Sequence, residues 1–469
     1  MQMQTVTQPE KVPRKNLIAI FAIALMAFLG ILVETSMNVA FPALMKQMQV
    51  SLNTVQWITT GYLLMVALLM ITSAFLKQRF TNKQLFVAAA MAFILGDLIC
   101  ALATNFPILL IGRLIQAGCA GIAIPLMFNI VVESVPRSRL GFYMGMAGLI
   151  LMIAPASGPT FGGIMVYLAN WRMIFWSTLP VEALILILGL TAIKQFSPIK
   201  QVRFNWLQFI LLAVAFISFT LGVNSVSSAG ILSWKFLGGV ILAIAAILLY
   251  IQVSRRSEQQ LLKLEIFRNP VFTYSFFAYV ILQFCNIGIN FALPNYAQIV
   301  VGATSLIGGL MLLPGSLITA ILQPWFGHLL DEHGARLPIL LGSSLFLVAA
   351  LIFTVFGRNL SVVLISAMYV LFSIGRSMAF SNTLTNGLKE VDMSQRADAN
   401  AIYNTGQQFA GSLGTTILAA LMSSVKVSGM SYAHETAIGS QLAFGLIFVL
   451  SILNFGFYFI VFRYQKNDK

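Results

Sequence analysis

Apolar stretches of about 20 residues recur along nearly the whole chain, each closed by a few polar residues. A helix of that length covers about 30 Å, the thickness of a bilayer's hydrocarbon core. The chain is 59% hydrophobic and only 9% charged, where soluble proteins carry about 25% charged residues. An all-α membrane protein is therefore the expected fold class. Spans are predicted near 17–43, 53–76, 85–104, 107–134, 140–166, 175–195, 206–226, 232–252, 270–301, 304–330, 337–357, 361–386, 398–424 and 439–463, fourteen in all.

Loop charge tests that count. Of 28 lysines and arginines, Lys46, Arg172, Lys235, Arg358 and Lys426 fall in one set of alternate loops. Arg113 and Arg376 stay inside spans. The other 21, Lys11, Arg137 and Lys469 among them, share the side of both termini. Basic loops remain cytoplasmic, so both termini are predicted inside. One miscounted helix would invert every later loop and destroy the bias. The same retention explains the net charge of +14 without a nucleic-acid partner. The polar first 16 residues lead into an apolar segment too long for a signal peptide, which predicts an uncleaved first helix. Cys100, Cys119 and Cys285 sit in apolar runs without paired spacing, as small core residues do.

The longest polar loop, roughly 253–269, is too short for a catalytic domain, and no G-x-x-x-x-G-K-[ST] phosphate cradle occurs. Transport driven by an ion gradient, or passive transport, is what remains. A 254-residue offset carries Ser73 to Gly327, residue 17 to residue 271, and Gly158 into Gly411-Ser-Leu-Gly414. Two six-helix halves with one inserted pair account for this, the parallel-repeat plan of facilitator transporters. The boundaries are 1–200, 201–256 for the inserted pair, and 257–469.

Several motifs fall in order along this plan. Asn38-Val-Ala-Phe-Pro42 ends helix one, and Gln56-Trp57-Ile-Thr-Thr-Gly-Tyr62 opens helix two. Arg113-Leu-Ile-Gln116 with Gly121 and Pro125 marks helix four; Gly158-Pro159-Thr-Phe-Gly162-Gly163 marks helix five. Leu313-Pro314-Gly315, Gly327, Asp331, Gly334 and Arg336 mark the second half. With these motifs the chain resembles the fourteen-helix drug:proton antiporters of the major facilitator superfamily over almost its whole length. Glu34-Thr35 and Asn404-Thr405-Gly-Gln407-Gln408 are similar to the lincomycin-resistance-like exporters. The resemblance implies a proton-coupled exporter of amphipathic drugs or toxic compounds, working by alternating access across the plasma membrane. It implies a monomer whose partners are substrate, protons and bilayer, without cofactor or metal. A lipid or fatty-acid exporter of the same fold is the alternative.

Two departures accompany it. The family's helix-one acid usually stands where Val33 is, and Glu34 is one step, about 100°, around the helix. The loop after helix two has Ser73, Lys77 and Phe80 in place of Gly, Asp and Gly. A complete inner-gate charge network is thus expected in the second half and not the first.

Ionisable residues within membrane helices are functional candidates by default. At 1.5 Å per residue, Glu34, Asp97, Arg113 and Glu182 all lie about 9–12 Å below the outer surface. Proton coupling is assigned to Glu34, Arg113 and Asp97; static pairing of helices is the alternative for each. Glu34, Glu182, Arg376, Tyr62, Asn38 and Gln116 are cavity candidates. Arg376, deeper in helix twelve, suits an anionic group or lipid, or else packing. Glu133, beside Arg137 and Arg139, reads as a boundary ion pair. Gly158, Pro159, Gly162 and Gly163, with Gly327, Asp331, Gly334 and Arg336, are the gating and structural positions.

Overall fold

The computed structural model describes residues 12–136, 139–230, 232–257, 260–393 and 395–467. Lys11, Arg137 and Lys469, counted above among the inner charges, lie outside them. The described residues form fourteen long helices: α1 (Arg14–Met48), α2 (Leu52–Arg79), α3 (Asn82–Leu102), α4 (Phe106–Ser134), α5 (Leu140–Leu168), α6 (Arg172–Ala192) and α7 (Trp206–Ala229). The series continues with α8 (Trp234–Arg255), α9 (Pro270–Ile299), α10 (Ser305–His333), α11 (Arg336–Phe356), α12 (Val362–Lys389), α13 (Arg396–Met422) and α14 (Tyr432–Asn467). Helices are the natural outcome in lipid, where every backbone donor and acceptor must be satisfied within its own segment. Side-chain caps set several starts. Thr81 closes a capping box with Gln84 at α3, and Asn105 accepts from the Ile108 N–H at α4. At its end α1 stops at Gln49, left-handed at φ 53°, whose N–H returns to Met45.

Thirteen of these helices are long and apolar enough to cross a membrane. The fourteenth, α13, is equally long but more polar, because it is packed between α2, α7, α9 and α14 and shows little of itself to lipid. Helices α1 and α14 outrun their predicted spans at both ends. Both helices run on into their polar flanks, α1 through Pro42.

Helices α1 to α6 pack on one another, as do α9 to α14. The pair α7–α8 docks through α7 on α2 and α13, with Phe216 stacked on Phe409 at 4.3 Å. An even number of crossings puts both described ends at one face, here the terminal face. Between the two groups of helices, every described hydrogen bond lies toward the other face. Asn295 Nδ2 donates to the Asn38 carbonyl at 3.2 Å and Gln298 Nε2 to Val39 at 2.9 Å. Thr60 and Thr416 hydroxyls meet at 2.9 Å, and Ser305 Oγ reaches the Gly163 carbonyl at 3.3 Å.

Helix α5 records the divergence along its length. A Cβ on Gly163 would stand 2.6 Å from the Ser305 carbonyl, and one on Gly309 2.1 Å from that of Pro159. Only glycine permits so close an approach of α5 and α10. Gly158 and Gly162 hold α5 equally close to Thr35 and Ser36 of α1. Nearer the terminal face, Gly141, Gly145 and Gly148 have nothing within 4 Å of where a Cβ would sit. The molecule is sealed at one face and open at the other.

Candidate functional site

Helix α1 is surrounded by α2, α4, α5, α6 and α9, so its remaining accessible face looks into the opening. That face carries Phe21, Leu25, Phe28 and Ile31, spaced four, three and three residues as one stripe of a helix. Exposure falls from 56% at Phe21 to 5% at Glu34, the next residue on the stripe. The opening narrows along an apolar wall and ends at a carboxylate. Glu34 makes no hydrogen bond or ion pair among the described residues.

Behind it lies a buried polar chain. Thr178 Oγ1 of α6 donates to Asp97 Oδ2 of α3 at 2.6 Å. Gln116 of α4 donates to Asp97 Oδ1 and accepts from Arg113 Nη1. Arg113 lies over the Tyr62 ring, its guanidinium carbon 4.3 Å from the centroid, and the Tyr62 hydroxyl donates to the Gly30 carbonyl at 3.1 Å. Gly30 is one turn from Glu34, so the chain leads from α6 back to the acid-bearing helix. Arg113 Nη2 has no partner. An unmet buried donor costs about 1–3 kcal/mol, and it leaves the guanidinium with a free edge in a low-dielectric site.

Asp97 and Arg113, for which static pairing was the alternative to proton coupling, are joined through Gln116. Glu34 and Arg113 share a layer without forming an ion pair. Gln116, Tyr62 and Glu182 are fully buried and present no surface to the opening. Both carboxylate oxygens of Glu182 lack a hydrogen-bond partner. Burying a carboxylate without a donor is unfavourable by several kcal/mol unless it carries a proton. Asn38 accepts from Thr59 Oγ1 at 2.9 Å and belongs to the seal.

The facing wall is polar. Helix α9 is enclosed by α1, α10, α12, α13 and α14, yet Asn286 and Asn290 remain partly exposed at its middle. The Tyr369 hydroxyl of α12 donates to Asn290 Oδ1 at 2.9 Å. Seven residues further on, the half-buried Arg376 donates weakly to Gln283 Oε1 and Ser377 Oγ, at 3.3 and 3.2 Å. Its guanidinium carbon is 4.4 Å from the Phe380 ring centroid, and Nε is without a partner. Gln283, Asn286 and Asn290 are absent from the residues expected above; their spacing of three and four in an apolar helix is the signal the sequence offers for them.

At the terminal face the charge network is the reverse of the sequence expectation. Lys77 pairs with Glu133 at 2.8 Å, and Glu133 also accepts from Asn82 and Ser197. Its described ion-pair partner is Lys77, and Arg137, expected beside it, lies outside the described residues. In the second half, Asp331 and Arg336 form no ion pair among the described residues. Glu332 meets His328 at 3.0 Å, and Gly334, at φ 72°, turns the chain into α11. The reason is the open face. Lys77 and Glu133 both belong to the first group of helices, whereas Asp331 and Gly327 project where the two groups have parted.

Two sets of membrane helices around one tapering opening, acidic on one wall and cationic on the other, define a transporter of small molecules. The family model described as Major Facilitator Superfamily matches residues 23–415. Lincomycin resistance protein LmrB of Listeria monocytogenes is 33% identical over 436 residues, 93% of this chain and 91% of the relative. LmrB of Bacillus subtilis is 31% identical over 89% of this chain and 87% of its own length. A multidrug resistance protein B homolog of Mycobacterium tuberculosis is 26% identical over 78% and 69%. Among solved structures, a bacterial homolog of the human lysosomal transporter Spinster, inward-facing and unoccupied, superposes with a TM-score of 0.72. It shares 15% identity over 98% of this chain and 99% of that one, a likeness of fold alone. The chain belongs to the major facilitator superfamily.

Proposed function

We propose that this transporter exports amphipathic drugs or toxic compounds across the plasma membrane in exchange for protons, by alternating access. The observation that carries this reading is Glu34. It is an acid without a partner at the blind end of an apolar stripe, one turn from the residue that anchors Tyr62 and hence Arg113. A carboxylate there can take a proton or attract a substrate cation, and its proximity to a fixed guanidinium couples the two. The relatives named for lincomycin and multidrug resistance support the substrate class. Asp97 is the second coupling candidate, with Arg113 as the modulating charge.

In this reading the halves are 1–200 and 257–469, and they rock about the seam of Gly158, Pro159, Gly162 and Gly163. The pair within 201–256 stands apart from the substrate path. The terminal face is cytoplasmic, so the state seen here opens inward, and one chain suffices for transport. The test is proton flux in proteoliposomes with a panel of cationic and neutral amphiphiles. Glu34→Gln should abolish substrate-driven proton flux while the protein remains monodisperse. Full coupling in Glu34→Gln with loss in Asp97→Asn would move the role to α3.

A further inference from the structure

We infer that the groove between α9 and α12 is a binding site for the anionic headgroup of an amphiphile, with Arg376 as its ligand. The inference rests on reading the opening as the substrate path. An intramembrane arginine ordinarily pairs with a carboxylate or with backbone carbonyls. Arg376 does neither: its described partners are one hydroxyl and one side-chain amide, both beyond 3.1 Å, and the face of Phe380. Every described acid of residues 260–467 lies at a helix end or in a loop: Glu265, Asp331, Glu332, Glu390, Asp392, Asp398 and Glu435. The second half therefore holds a cation at mid-membrane depth with no carboxylate of its own to match it.

The surroundings position the cation without matching its charge. The ring of Phe380 beneath the guanidinium is itself stacked on Tyr279 at 4.1 Å, and Tyr279 is fixed by a 2.5 Å hydrogen bond to Gln407. That rigid aromatic pair holds the cation in place without neutralising it. Nε carries a hydrogen that nothing accepts, next to an Nη2 held by one long bond to Gln283. The Nε–Nη2 edge is the fork that grips a carboxylate or phosphate with two parallel bonds. On the same two helices, the hydrogen-bonded pair Tyr369 and Asn290 adds neutral polar groups about two turns from Arg376. An amphiphile with an anionic head on Arg376 would lay its apolar body against Phe28 and Ile31. A purely cationic compound would find only Glu34. The shared chemistry is a carboxylate or phosphate on an apolar body, whether a free amphiphile or a phospholipid.

The test is equilibrium binding to the purified full-length protein in neutral detergent, without a proton gradient, so that a failure of coupling at Glu34 leaves it untouched. Dodecanoate is compared with its neutral isostere dodecanamide, and phosphatidylglycerol with phosphatidylcholine by native mass spectrometry. Wild type should prefer dodecanoate, and Arg376→Gln should lower that affinity at least about tenfold while leaving dodecanamide unchanged. Arg376→Lys, which keeps the charge and loses the fork, should retain part of the preference. If dodecanoate is unaffected but phosphatidylglycerol is selectively lost in Arg376→Gln, the site stands and its ligand is lipid. Wild type showing no preference for the anion in either pair overturns the inference without any variant. So does a loss in Arg376→Gln that is equal for acid and amide.

Discussion

Gln116 stands between Asp97 and Arg113, donating to the carboxylate and accepting from the guanidinium, so that two opposite charges on neighbouring helices communicate through a neutral amide. A direct pair would hold α3 and α4 rigidly. An amide in the middle lets each charge keep a partner while the other changes state. Gln116→Leu removes both bonds at once and leaves a buried acceptor and a buried donor unmet, for a cost of about 3 kcal/mol. The expected result is a clear fall in apparent melting temperature in detergent. Asp97→Asn on top of it should add much less than it does alone, because residues in one network are not additive. Simple additivity would mean that Gln116 and Asp97 are not coupled through the bridge.

The seal between α5 and α10 depends on backbone contact at Gly309. A side chain there would drive into the Pro159 carbonyl, and overpacking of this kind typically costs about 1–3 kcal/mol. Gly309→Val should therefore destabilise the closed end rather than the fold. With cysteine placed at 295, a fully buried position of the seal, Gly309→Val should speed reaction with an impermeant maleimide. Gly327→Val is the control. Nothing lies within 4 Å of that glycine, and its labelling rate should match the parent's.

How far the sequence disclosed all this differs from element to element. The spans were legible because lipid imposes one rule on every one of them, about 20 apolar residues between polar turns. Even the more polar α13 was predicted among the spans, at 398–424, although it is not among the thirteen helices apolar enough to cross a membrane. The ionisable residues were legible as a layer, because depth follows from counting. Their pairing was not. Which of Glu34, Gln116 or Asp97 meets Arg113 depends on rotation about each helix axis, and an error of one residue turns a side chain by about 100°. Lys77 and Glu133 escaped for a related reason. They are 56 residues apart, and only the packing of α2 on α4 brings them together.

Orientation is open to direct measurement. Cys100, Cys119 and Cys285 are free and buried, so the wild-type chain offers little background to an impermeant thiol reagent. Cysteines at 46 and 426 should label from outside intact cells, and those at 79 and 255 only after permeabilisation. The opposite pattern would place the termini, and the open face of this structure, on the exterior.

The ion pair at the terminal face yields the last prediction. Lys77 and Glu133 are both largely buried, with side chains 17% and 14% exposed, and Glu133 is further held by Asn82 and Ser197. The cluster ties α2, α3 and α4 to the segment leaving α6, so under the proposed alternating access all of it would move as one body. It should therefore contribute to stability and little to the balance between open and closed states. Lys77→Gln leaves a carboxylate that keeps two neutral donors but loses its counter-charge, so the expected cost is about 1–3 kcal/mol. Glu133→Gln should cost a similar amount, and the two together less than their sum. The discriminating measurement pairs melting temperature with accessibility of a cysteine at 295. A lower melting temperature with unchanged accessibility fits a brace within one half. If Lys77→Gln instead alters accessibility at 295 while leaving melting unchanged, the cluster acts on the gate, and the first half carries a latch despite its missing loop glycines and aspartate.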